Sequence, residues 1–124
     1  MTRSEAPATL DAEHEALWML GFFYLRNRRP DRAQTLFAAL ARLLPDDPRL
    51  ARALALAQIR AGKGEHALAT LDGLAMAGHL DPAFHLLRAQ ALDALGRTQE
   101  ARAAMRAFID GRQPPRASDA VGNR

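Results

Sequence analysis

The chain contains no cysteine. Disulfides and thiolate metal sites are therefore excluded, and a reducing compartment is permitted. Lysine is nearly absent, with Lys63 standing alone. Valine and isoleucine are scarce, so a sheet has little to be built from. No stretch approaches the roughly 20 apolar residues that a membrane-spanning helix needs. Residues 1–10 hold no apolar run and carry Glu5 and Pro7, so a secretory leader is not expected there. The signatures of common chemistries are missing too. The sequence has no G-x-S-x-G, and Gly62-Lys63-Gly64 lacks the spacing and the following hydroxyl of a phosphate-binding loop. His14, His66, His79 and His85 form neither an HExxH motif nor an i, i+4 pair that would present two ligands on one helical face. We expect these histidines at the surface, and we expect no catalytic residues, no metal and no cofactor.

What remains is helical in character. The 124 residues are one domain's worth, and 48% of them are hydrophobic, which argues against disorder for most of the chain. Alanine and leucine dominate, and both favour helix. The net charge of +3 is carried almost entirely by arginine. Because the arginines are interleaved with Asp and Glu, they predict a solvated helical surface rather than a nucleic-acid interface.

The organisation is repetitive. Ala33, Ala67 and Ala101 recur every 34 residues, Gly62 and Gly96 share that spacing, and Arg28 takes the equivalent place in the first unit. A period of 34 is that of the tetratricopeptide (TPR) helix pair. The first unit is the most complete: Leu17, Leu20, Gly21, Tyr24, Ala33, Phe37 and Pro45 fall on its pattern. Gly21 and Ala33 are small where paired helices approach, Phe37 fills the space toward the next pair, and Pro45 ends a helix. Leu20, Phe37, Leu71 and Met105 are expected in the core. The second unit departs at Gln58, where an aromatic belongs, and the third has Arg88 at a usual Leu place. A degenerate third unit suits a terminal repeat.

The spacing and the breaks predict six helices, at about 11–27, 31–43, 48–61, 65–77, 82–95 and 98–111. Asp31 is expected near the start of the second helix. Asp47-Pro48 and Asp81-Pro82 read as cap followed by first helical residue, and Gly62-Lys63-Gly64 and Gly96-Arg97-Thr98 as turns. The fold class is all-α: three TPR pairs stacked as a short right-handed superhelix with a concave groove. The repeats cover about 14–47, 48–81 and 82–111 within a domain at 11–111. Residues 1–10 and 112–124, rich in Pro, Ser, Gly and charge, are expected to be disordered tails.

In such a stack the first helices of the pairs line the groove. The pattern puts Trp18, Phe22 and Leu25 there from unit one, and Arg49, Arg52, Leu56, Ile59 and Arg60 from unit two. Unit three adds Leu86, Gln90 and Asp93. Several of these are large and apolar, which marks a partner site if they are open to solvent. The arginines would suit a ligand segment with acidic flanks. Self-burial is the alternative: Trp18 or Phe22 covered by an N-terminal segment, a C-terminal tail, or a homodimer mate.

The segment Gly21 to Pro45, with Gly21, Leu25, Arg32-Ala33, Leu36, Ala39-Leu40, Leu43 and Pro45, resembles the small TPR chaperones of bacterial type III secretion, of the YscY (SctY) kind. Gly64-Glu65 and Arg88-Ala89-Gln90 extend the resemblance, which spans residues 14 to about 110. It implies a cytoplasmic bacterial chaperone that binds a small secreted export protein of the YscX (SctX) kind and engages the export gate, with roles in protein transport and virulence. The related class II translocator chaperones share the fold but are usually longer at the N-terminus. A generic TPR scaffold that self-associates through Trp18 and Phe22 is the alternative of a different class.

Overall fold

The computed structural model describes residues 12–112. Among them are six α-helices: α1 (Ala12–Arg26), α2 (Pro30–Leu43), α3 (Pro48–Arg60), α4 (Gly64–Met76), α5 (Pro82–Ala94) and α6 (Thr98–Arg112). No strand occurs among the described residues. Each helix packs on the next in the chain, and α3 also packs on α5. The chain is thus a helical repeat of three antiparallel pairs, as the 34-residue period requires. No helix of the described residues is long and apolar enough to cross a membrane. The expected tails lie outside the described residues, apart from Arg112, which closes α6.

The start signals act as their chemistry dictates. Asp47 and Asp81 precede α3 and α5 in extended conformations. The carboxylate of Asp47 accepts from the Arg49 N–H at 2.9 Å, and that of Asp81 accepts from the Phe84 N–H at 3.0 Å. Each satisfies one of the N–H groups that the first turn leaves unpaired. The proline that follows each has no N–H to lose. At α2 Asp31 stands near the helix start, as expected, but not as its cap. Arg29 precedes the helix with no side-chain cap, Pro30 opens it, and Asp31 lies inside the first turn. There its charge complements the helix dipole instead of capping it.

The period is also written into the backbone. Arg28, Gly62 and Gly96 have φ of 61°, 78° and 76°. The residue after each donates to a carbonyl five residues back: Arg29 to Tyr24 at 2.8 Å, Lys63 to Gln58 at 2.8 Å and Arg97 to Leu92 at 2.9 Å. This left-handed closing turn satisfies the last free carbonyls of the first helix in each pair.

Two apolar clusters form the core. One gathers Leu25, Ala33, Phe37, Leu40, Leu50, Ala53 and Ala57 from the first three helices. The other joins α3 to α6 around Ala67, Leu71, Phe84, Leu92 and Ala101. Leu56 packs against both. The fully buried Phe37 ring lies against Gly21, where any added Cβ would collide with it. Gly21 therefore serves a ring-on-backbone contact. Gln58 is buried at the place of the missing aromatic, and its Oε1 accepts from the Thr70 hydroxyl at 2.8 Å across the second pair. A buried amide so bonded avoids much of its desolvation cost.

Two expected core residues are not in the core. Leu20 is 38% exposed and Met105 36% exposed. Leu20 is about 100° around the helix from the buried Gly21, which turns it to the flank. Met105 lies on α6, which has no described helix beyond it.

Candidate partner-binding groove

The first helices of the three pairs, α1, α3 and α5, bring their side chains together along one groove. Trp18 and Phe22 come from α1, Arg49, Arg52, Ala53 and Leu56 from α3, and Ala83, Leu86, Leu87 and Gln90 from α5. The groove holds about 410 Å³. Its residues are successive copies of the same register positions. Trp18, Arg52 and Leu86 stand 34 apart, as do Phe22, Leu56 and Gln90. The spacing is i, i+3, i+4 and i+7 along α3 and α5 and i, i+4 along α1, which keeps these side chains on one face.

The floor of the groove at the α1 end is a cluster of three rings. Trp18 and Phe22 meet edge to face with centroids 4.9 Å apart. Both rest on Phe37, at 5.7 and 5.1 Å. Edge-to-face contacts of this kind favour fixed ring positions. Trp18, Phe22, Leu56 and Leu86 are all half-buried. Their bases are held by neighbours while their outer surfaces face the groove. Ala53 and Ala83 are small and give the groove its depth.

The arginines of the rim are engaged within the molecule. Arg49 donates to both carboxylate oxygens of Asp47, at 3.2 and 2.9 Å, and its guanidinium lies 5.8 Å from the Trp18 ring centroid. The bond to Arg49 holds the Asp47 carboxyl below its usual range, and Arg49 is raised in turn. Arg52 pairs with Asp81 at 3.2 Å. The two helix-capping aspartates, themselves 34 residues apart, thereby offset the positive charge at the groove edge. The arginine rim is locally near neutral, so acidic flanks on a ligand gain little from it and apolar contact dominates.

Of the eleven residues expected in the groove, seven line it: Trp18, Phe22, Arg49, Arg52, Leu56, Leu86 and Gln90. Four do not. Leu25 is only 8% exposed and belongs to the first core cluster. It lies one turn after Gly21, on the side of α1 drawn toward α2, so its expected place in the groove is corrected to the core. Ile59 packs against the second cluster, and Arg60 and Asp93 are exposed outside the groove. Ala53, Ala83 and Leu87 line the groove without having been singled out. Their signal was present, since Ala83 is the copy of Arg49 and Leu87 the copy of Ala53 at the 34-residue step. Among the described residues no group of His, Asp or Glu is arranged to hold a metal ion.

A family model described as tetratricopeptide repeat matches residues 24–91, more than half of the chain. No curated protein matches it.

Proposed function

The chain belongs to the tetratricopeptide repeat family, and from that premise we propose that it is a protein-binding module whose α1–α3–α5 groove grips an apolar segment of one small partner. TPR domains bind protein partners. Here one observation carries the reading: the two groove registers that recur every 34 residues hold Trp18, Phe22, Leu56 and Leu86, all half-buried and convergent on one volume. Large side chains held at their bases and open at their tips make good anchors, because little conformational entropy is left to lose on binding.

In the finer form of the proposal the module is a cytoplasmic chaperone of type III secretion, of the YscY kind. Its client is a small exported protein, held in the groove until it is passed to the export gate. The resemblance over Gly21 to Pro45 is what supports this form.

The test is co-expression with candidate small exported proteins, followed by copurification and mass spectrometry. A stoichiometric complex with one of them is expected. Leu86→Asp places a charge in the groove away from both core clusters, so it should leave helicity unchanged and weaken the complex at least about tenfold. A partner that binds the Leu86→Asp chain as tightly as the parent would show that the groove is not the site. A chain that takes up none of the candidates would remove the chaperone reading.

A further inference from the structure

The outer face of α1 is built against the rule for a stack's end. A terminal helix of a repeat array turns a polar face outward. At the other end α6 exposes Met105 and Ile109 to 36% and 45%, less than Met19 and Phe23, and interleaves them with the exposed Arg102, Arg106 and Asp110. At 100° per residue, the side of α1 opposite Gly21 and Leu25 carries Ala12, Glu15, Ala16, Met19, Phe23 and Arg26. All six are exposed. Met19 is 63% exposed and Phe23 57%, and with Phe22 and Arg26 they rim a shallow depression. No described helix covers them.

We propose that this face pairs with the same face of a second copy, α1 against α1, antiparallel about a two-fold axis at Met19. Three observations support a second copy. Met19 is the middle residue of α1 (Ala12–Arg26), so a two-fold there overlays the whole helix on its mate. The apolar stripe is then self-complementary: Phe23, four residues past the axis, lies beside Ala16, three residues before it on the other helix. A large side chain thus meets a small one twice, which is the packing a symmetric helix pair needs. Charge is complementary in the same arrangement. Glu15 and Arg26 lie on the same flank of the stripe. Antiparallel pairing brings Arg26 of each copy within about one helical turn, roughly 5 Å along the axis, of Glu15 on the other. A parallel pair would put each charge only level with its own copy and would bring no Arg26 near a Glu15. Glu15 also contributes to the field that holds Arg49 charged, but Arg49 itself is bonded to Asp47.

Residues 1–11 and 113–124 offer few apolar side chains to cover this face. Outside residues 12–112, Met1, Leu10 and Val121 are the large apolar side chains. The dimer face adjoins the groove: Trp18 and Phe22 line both, whereas Met19 and Phe23 line the depression alone. Met19 and Phe23 are therefore the positions that probe pairing without altering a groove residue.

The full chain should be followed by sedimentation equilibrium across a dilution series. The parent is expected to run at twice its 13.6 kDa at high concentration and to dissociate on dilution. Phe23→Glu, an exposed position, should give a monomer throughout with unchanged helicity by circular dichroism. Glu15→Arg and Arg26→Glu each bring like charges together, and each should weaken the dimer about tenfold. Mixing these two variants restores both opposite-charge contacts, so a heterodimer as tight as the parent should form. A parent that stays monomeric at high concentration would overturn the proposal, as would assemblies larger than a dimer, which would indicate head-to-tail stacking. A dimer indifferent to Phe23→Glu, or a mixture that fails to recover, would equally rule out the antiparallel α1 pair.

Discussion

Arg28 is the residue that departs most from its repeats. It takes the left-handed turn that Gly62 and Gly96 take without steric cost, at φ 61° against 78° and 76°. A side chain there costs about 1 kcal/mol relative to glycine, because Cβ crowds the following carbonyl. Arg28→Gly is therefore expected to stabilise the protein by about 1 kcal/mol, which raises the melting temperature by several degrees for a domain of this size. Thermal unfolding by circular dichroism checks it, and a lowered midpoint would mean that the Arg28 side chain makes a stabilising contact. The 34-residue spacing alone identified residue 28 as the equivalent of the two glycines. Leu25, three residues earlier, was not so readable. The repeat names its register but not whether α1 turns that register toward the groove or toward α2. The answer depends on Gly21 and the Phe37 ring, a contact between two helices.

At the scale of the element, five helix ends were legible because local chemistry fixes them: an aspartate and a proline before α3 and α5, and left-handed turns after α1, α3 and α5. The α2 start was less so, since Pro30 opens that helix with no capping side chain before it. The α3 cap has a consequence that depends on pH. Its carboxylate accepts from the Arg49 backbone and side chain, and these bonds lower its pKa from the usual 3.8. A carboxyl with a depressed native pKa favours the folded state when ionised. That contribution is complete above the unfolded value of about 3.9 and is lost as pH falls through the lower native value. Asn at this position still caps but cannot carry charge. Asp47→Asn should therefore be less stable than the parent at neutral pH, by about 0.5 kcal/mol. The gap should close as the pH drops below about 4. Melting temperatures of the two chains from neutral to acidic pH measure this. A gap that stays constant down to the acid limit would assign the loss to cap geometry rather than charge.

Across the whole molecule, stability is distributed along the stack. Each pair contacts its neighbours and little else, so local opening is governed by the interfaces at each end. The first core cluster is built from α1 to α3 and the second from α3 to α6, with Leu56 of α3 packed on both. The sequence told where the pairs begin. It did not tell that the core divides in two, since that follows from which buried side chains touch. Phe37 is the anchor of the first cluster, fully buried beneath Trp18 and Phe22. Its loss to alanine should cost about 3–5 kcal/mol. In a quasi-one-dimensional stack that loss falls on its own end. Native-state hydrogen exchange of Phe37→Ala should show amides of α1 and α2 losing protection by most of this amount, while those of α5 and α6 change little. Leu92→Ala, at a fully buried site of the second cluster, should do the reverse at about 2–5 kcal/mol. Equal losses along all six helices in both variants would instead mean that Leu56 and its neighbours couple the clusters into one cooperative unit. The groove would then be as rigid at its α5 end as at its α1 end. If the losses stay local, the α1 end, where Trp18 and Phe22 sit on Phe37, can loosen independently of Leu86, and a client would close it by binding across both.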